Sequence, residues 1–320
     1  MEEALDPALP ICDAHHHLWE RANARYFRAD FLRDAGTGHN IVSTIAVECR
    51  AMYRQTGIES LKPVGETEFL ESVAMQDRAS SPSPTRIVAG IVGHADLTLG
   101  DNVAAVLDAH LAASPTRFRG IRHSATWDAS GMIRNDSPPG LLSESSFRRG
   151  LACLQRYGLS FDAWLYHPQL AELTNLARAF PSVCIILDHI GGPLGVGPYA
   201  GKRDEVFEAW SKGISELSHC PNVVVKLGGV GSTRSGHDWH ERTEQPASTE
   251  IAADIAPYFE FCIEKFGVSR CMFESNFPVD KASYSYAAIW NAFKRITQSY
   301  SRSDRAALFH DTAARIYKPV

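Results

Sequence analysis

The chain has 320 residues, 44% of them hydrophobic and 22% charged, with a formal net charge of −5. That composition suits a globular protein with a sizeable core, and the mild acidity argues against a nucleic-acid footprint. No block of five like charges occurs, which argues against polybasic membrane targeting. The opening "MEEALDPALP" lacks an apolar signal core, and runs such as "VCIIL" are too short to span a bilayer. Seven cysteines, an odd number without CxxC spacing, sit mostly in apolar runs. They are expected to be reduced, in a cytoplasmic protein.

Short β-rich runs recur along the chain, beginning with "ICDAHHH" (11–17), "IVSTIAVEC" (41–49), "RIVAGIVGH" (86–94) and "FRGIRH" (118–123). They continue as "LSFDAWLY" (159–166), "VCIILDHI" (183–190), "VVVKLGG" (223–229) and "CMFESN" (271–276). Helical patterns lie between them, from "GETEFLESVAMQDRA" through "NVAAVLDAHLAA", "SFRRGLACLQRYG" and "PQLAELTNLARAF" to "YAAIWNAFKRITQSY". Alternation of strands and helices predicts parallel βαβ units, and eight units predict an α/β fold, a single (β/α)8 TIM barrel spanning residues 1–320. Loop lengths agree. Helix-to-strand links such as "GVSR" and "CPN" are tight, whereas the links after the fourth and seventh strands are long. Long links at the carboxyl ends of barrel strands are where such folds build their sites. A doubly wound sheet is the rival, but no GxGxxG turn follows the first strand.

Three consecutive imidazoles, His15 to His17, close the first strand. Side chains alternate along a strand, so His15 and His17 share one face while His16 points to the other. Polar residues at the remaining strand ends converge on the same rim. They are Glu48, Arg122, one of Asp162, Trp164 or Tyr166 depending on register, then His189, Lys226, Glu274 and Asn276. Lys226 inside an apolar strand must be paired or functional, because an unpaired buried ammonium is costly. His237 and His240, in the polar loop after the seventh strand, are expected to be solvated. The segment from about Gly231 to Glu250 is expected to cover the pocket.

The D-x-H-x-H-x-W opening, "LDHIGGP", "VVVKLGG", "CMFESNFPVD" and the terminal "ALFHDTAARIYK" together resemble the amidohydrolase-2 branch of the amidohydrolase superfamily. Within it the chain is similar to TIM-barrel hydrolases that include sugar-acid and dicarboxylate lactonases. The resemblance runs from about residue 11 to 317 and implies that His15, His17 and His189 are active-site residues. One position departs from the pattern. Relatives end the eighth strand in G-S-D-W-P, whose aspartate is a metal ligand or general base; here "ESNFP" places Asn276 there and Glu274 two residues earlier. An amide cannot abstract a proton. Glu48 or Glu274 is therefore expected to supply the displaced carboxylate, with Glu48 favoured as base and Glu274 as ligand or orienting group.

The expected activity is hydrolysis of a small lactone or related cyclic ester, with a carboxylate on the substrate. His15, His17 and His189 are candidate ligands of one divalent metal ion, zinc foremost given the imidazoles, with a metal-free route left open. Arg122, Lys226, Trp164, Tyr166 and Arg50 are candidate substrate-binding residues, with Arg54 and Arg134 further out. The alternative activity is metal-dependent decarboxylation of an aromatic or unsaturated acid, which Asn276 weakens. A non-catalytic small-molecule binding barrel is the third reading. The expected partner is a small-molecule substrate, with no nucleic acid or membrane, and a homo-oligomer is left open.

Overall fold

The computed structural model describes residues 2–21, 24–80 and 85–320. Eight strands make one parallel sheet in sequence order: β1 (Pro10–His16), β2 (Asn40–Val47), β3 (Arg86–Gly93), β4 (Phe118–Arg122), β5 (Ser160–Ala163), β6 (Ile185–Leu187), β7 (Val223–Leu227) and β8 (Cys271–Phe273). A helix follows each strand: α1 (Arg28–Ala35), α2 (Val64–Ser80), α3 (Ala104–Ala113), α4 (Ser145–Tyr157), α5 (Leu170–Ala179), α6 (Arg203–Ser218), α7 (Ser248–Phe266) and α8 (Tyr286–Ile296). The result is a nearly closed (β/α)8 TIM barrel, as the alternation predicts. No described helix is long and apolar enough to cross a membrane.

Parallel strands covered by helices bury both faces, which is why the strands read as near-continuous apolar runs. Cys12, Ala14, Ile45, Val47, Val92, Ile186, Val224 and Met272 pack together inside the barrel. Ala313 and Tyr317 of the last helix, Thr312–Tyr317, join this cluster. Arg119 Nε, at the start of β4, donates to Tyr317 O over 2.6 Å, so that helix seals the amino-terminal end. The opposite mouth carries the histidine-bearing end of β1.

The structure departs from the sequence reading in three places. Strands β5, β6 and β8 end at Ala163, Leu187 and Phe273, several residues before their apolar runs do. The residues beyond them leave the ladder to form the barrel mouth. Helix α1, only two turns long with Phe31 and Ala35 as its buried residues, has too short a period to read. Closure of the barrel lies beyond β8. Asn276 N donates to His15 O over 2.9 Å, and His17 N to Phe277 O over 2.7 Å. These bonds lay the segment after β8 directly against the histidine-bearing end of β1.

Candidate functional site

The register of β1 shifts between Asp13 and His16. His15 and His17 turn toward the mouth, their Nε2 atoms 3.2 Å apart. His16 faces the other way, with Nε2 2.9 Å from Thr44 Oγ1 and its ring centroid 4.4 Å from that of Phe31, tilted by 35°. Burial pushes His16 down to about 3, so it is a neutral core residue. Asp13 anchors the end of β1 from behind. Its carboxylate accepts from Ser275 Oγ at 2.6 Å, Ser275 N at 2.9 Å and Tyr286 OH at 2.9 Å.

Beneath the mouth lies a layer of buried charge. Lys226 Nζ is 2.7 Å from Asp162 Oδ2, 3.1 Å from Asp188 Oδ1 and 3.3 Å from His15 Nδ1. Burial alone would lower the ammonium, but Asp162 and Asp188 hold it above its ordinary value. Tyr317 OH also donates to Asp162, over 2.7 Å. Burial penalises Asp188 too, yet Lys226, His189 and Arg122 keep its carboxyl below the usual range. Lys226 is thus fully enclosed and borders neither of the cavities described below.

Glu274 ties two imidazoles together. Its Oε1 accepts from His189 Nδ1 at 2.6 Å, and its Oε2 lies 2.8 Å from His15 Nδ1. Burial opposes the charge on His189, but Glu274 outweighs it and raises the imidazole above its ordinary value. His15 is lowered by burial and by Lys226, and His17 by burial and by Arg122. His17 Nδ1 donates to Val47 O at 2.7 Å. With Nδ1 donating on both rings, Nε2 is the remaining ring nitrogen of each; that of His17 faces His15 Nε2. Gly229 sits at φ +67°, and a Cβ there would run into the His189 ring. Glycine is required for that approach.

At the mouth, a cavity of about 230 Å³ is bordered by His17, Glu48, Arg122, Trp164, His189 and Asn276, with Arg21, Arg50, Arg134 and Arg234 around it. Arg122 Nε donates to Glu48 Oε1 at 2.8 Å and its second arm reaches the Glu48 carbonyl. Burial raises and Arg122 lowers the Glu48 carboxyl; the guanidinium wins, and Glu48 stays ionised. Glu48 Oε2 and Asn276 Oδ1 are buried without a hydrogen-bond partner. Asn276 Nδ2 is occupied by Asp280 Oδ1 at 2.9 Å. Arg50 and Arg134 share Asp136, at 3.5 and 3.0 Å. Arg54 pairs with Glu68 instead and stands outside the cavity.

The site's donors suit a cation. One ligand atom each from His15, Asp188 and His189 falls within 4.8 Å of the others. The structure thus groups Asp188, rather than His17, with His15 and His189. Both Asp188 oxygens and Glu274 Oε2 lack directed hydrogen bonds and are held by charge alone. Four buried carboxylates, Glu48, Asp162, Asp188 and Glu274, face two buried cations, Lys226 and Arg122. Two imidazoles and a carboxylate also make the ligand count of an open catalytic site. Glu274 behind His189 is the outer carboxylate that such ligands use to fix their orientation.

Sequence reasoning missed Asp188 and Arg234. Strict alternation would put Asp188 and His189 on opposite faces. The strand ends at Leu187, however, and His189 and Ile190 adopt φ of +53° and +51°, turning both side chains into the site. No pattern in the loop after β7 distinguishes Arg234 from its polar neighbours. His237 is not solvated as expected; its ring stacks 4.0 Å from Trp239. The polar loop does cover the mouth, with Ser232, Arg234, Ser235 and His237 on its walls. Trp164 borders the cavity, whereas the Tyr166 hydroxyl donates away from it, to Arg134 O at 2.6 Å.

Comparison with known proteins places this geometry. A Sinorhizobium fredii protein, "Uncharacterized protein y4mH", is 37% identical, over 97% of this chain and 99% of its own length. An L-fucono-1,5-lactonase of Burkholderia ambifaria is 28% identical, over 96% of this chain and 94% of its own. The crystal structure of a Burkholderia multivorans amidohydrolase with bound Zn aligns at a TM-score of 0.76 and 25% identity, covering 97% and 99% of the two chains. The Amidohydrolase family model matches residues 12–318. Matched nearly end to end, the chain belongs to the amidohydrolase family of hydrolytic enzymes.

Proposed function

We propose that the chain hydrolyses a small lactone bearing a carboxylate, in the cavity over His17, Glu48 and His189. One observation carries the reading. Glu48, kept ionised by its 2.8 Å pair with Arg122, borders a cavity ringed by arginines and keeps its second oxygen, Oε2, without a hydrogen-bond partner. Ester hydrolysis needs a proton acceptor for the attacking water and a fixed place for the substrate's charge. Glu48 Oε2 takes the water's proton. Among the described residues the Arg234 guanidinium has no hydrogen-bond partner, so it is available to grip the substrate carboxylate as a fork, with Arg50 beside it. Asn276 Oδ1 accepts from a substrate hydroxyl or a water.

Glu274 does not border the cavity and acts by holding His15 and His189 in place. A divalent ion, zinc first among candidates for this donor set, would be held by His15, Asp188 and His189 and would polarise the lactone carbonyl. The lactonase name of the 28% identical relative supports ester hydrolysis over decarboxylation. The test is proton release from a panel of sugar-acid and dicarboxylate lactones, with wild type and Glu48→Gln. Loss of a general base lowers turnover about 10²- to 10⁴-fold. Near-full activity of Glu48→Gln would remove Glu48 from its role, and no turnover of any lactone would refute the reaction class.

A further inference from the structure

The site has a second lobe. A cavity of about 270 Å³ adjoins the polar one and shares Trp164, His189, Gly229, Ser232 and Arg234 with it. These shared residues form a neck at the His189 imidazole, with the Trp164 ring 4.8 Å from it and nearly perpendicular. Beyond the neck the two lobes differ in chemistry. The polar lobe carries arginines and unpaired acceptors, as above. The second is walled by Ile190, Leu194, Val206, Val230 and Ile255, all buried, and by aromatic rings.

Several polar side chains around this second lobe are already engaged elsewhere. Tyr166 OH donates to Arg134 O at 2.6 Å and Tyr199 OH to Asp128 Oδ2 at 2.8 Å. Ser235 Oγ donates to Ser232 O at 2.7 Å, and Arg203 pairs with the His237 ring at 3.0 Å. Apart from the Arg234 guanidinium and the His189 ring at the neck, most of the surface turned inward is carbon and ring. A polyhydroxylated arm placed there would leave its hydroxyls without partners, which costs free energy for each one. An alkyl or aryl arm gains by leaving water.

We infer that the substrate is two-armed: a ring that opens at the neck, a carboxylate on the arginine side, and an apolar alkyl or aryl substituent filling the second lobe. This rests on the lactone-hydrolase reading of the polar lobe. It makes the preferred lactone apolar on one side rather than hydroxylated throughout.

Calorimetric binding to the full chain tests the lobe without requiring turnover. The probes are 4-phenylbutanoate, butanoate and 2,3,4-trihydroxybutanoate. The phenyl acid is expected to bind about tenfold or more tightly than the other two, with a negative heat-capacity change. Val206→Trp, which fills the lobe from α6, should abolish that preference; Ser235→Phe, from the loop after β7, gives the same reading if the first variant fails to fold by circular dichroism. Equal binding of the three acids, no binding of any, or a preference that survives both substitutions overturns the inference. A phenyl preference without hydrolysis of any lactone leaves the lobe standing and overturns the hydrolase reading instead. Hydrolysis confined to polyhydroxylated lactones overturns the lobe and leaves the hydrolase reading intact.

Discussion

Replacing Glu274 by glutamine keeps the side chain's volume and removes one buried charge between two imidazoles. In the native arrangement the carboxylate accepts from His189 Nδ1 at 2.6 Å and lies 2.8 Å from His15 Nδ1. A charge-assisted hydrogen bond contributes about 1.5–3 kcal/mol, against about 1 for a neutral one, so the His189 contact should lose roughly 0.5–2 kcal/mol. An amide keeps one acceptor oxygen and turns the other position into an NH2 donor, so it can accept from only one of the two rings. Removing such an outer carboxylate typically costs about 10- to 100-fold in metal affinity. The same change should lower the His189 pKa, since burial opposes the imidazolium and Glu274 is the largest charge sustaining it. Competition of the purified variant with a chromogenic chelator measures zinc affinity, and imidazole NMR of the metal-free protein follows His189. Wild-type zinc affinity together with an unchanged His189 titration would refute the assignment of Glu274 as the group that orients this cluster.

Lys226→Met should destabilise the fold strongly, because it leaves Asp162 and Asp188 buried near one another without their shared ammonium. Breaking such a pair costs about 3–5 kcal/mol, so a loss under about 1 kcal/mol in chemical denaturation would contradict the pairing. Acid should destabilise through the buried neutral imidazoles, with His16 pushed down to about 3 and His39 and His110 to about 4, in each case chiefly by burial. Their folded values lie below the unfolded value of about 6.5, so the unfolded chain binds more protons between those limits and stability rises with pH across that window. Urea midpoints should fall as pH drops from about 6.5 toward 4, and a flat profile would count against these burials. Zinc binding should strengthen with pH and release protons, because a ligating His189 must lose the proton that Glu274 favours; calorimetry in buffers of differing ionisation enthalpy reads the release, and none would exclude His189 as a ligand.

The sequence determined the barrel. Strands covered on both faces must be apolar along their length, and the helices between them must carry one apolar stripe, so the alternation is written in hydropathy alone. The long segments 123–144 and 228–247 marked the functional end by length. Period two placed His15 and His17 together and His16 apart, because that stretch is extended. Where the chain leaves the strand, the period carries no information. Positive φ at His189, Ile190 and Asn276 aims Asp188, His189 and the strand-8 amide in directions that no alternation rule predicts. Whether a strand-end charge meets solvent or a partner also depends on residues far away in sequence. Lys226 lies deep because Asp162, Asp188 and Tyr317 surround it, and Glu274 lies deep because His15 and His189 close over it. Among the described residues, of the carboxylates Glu48, Asp162, Asp188 and Glu274 it is Glu48 that borders the cavity, and Arg122 pairs with only one of its two oxygens. Those distinctions are made by contacts between strand ends brought together only when β1 meets the segment after β8, and so they belong to the closed barrel rather than to any stretch of sequence.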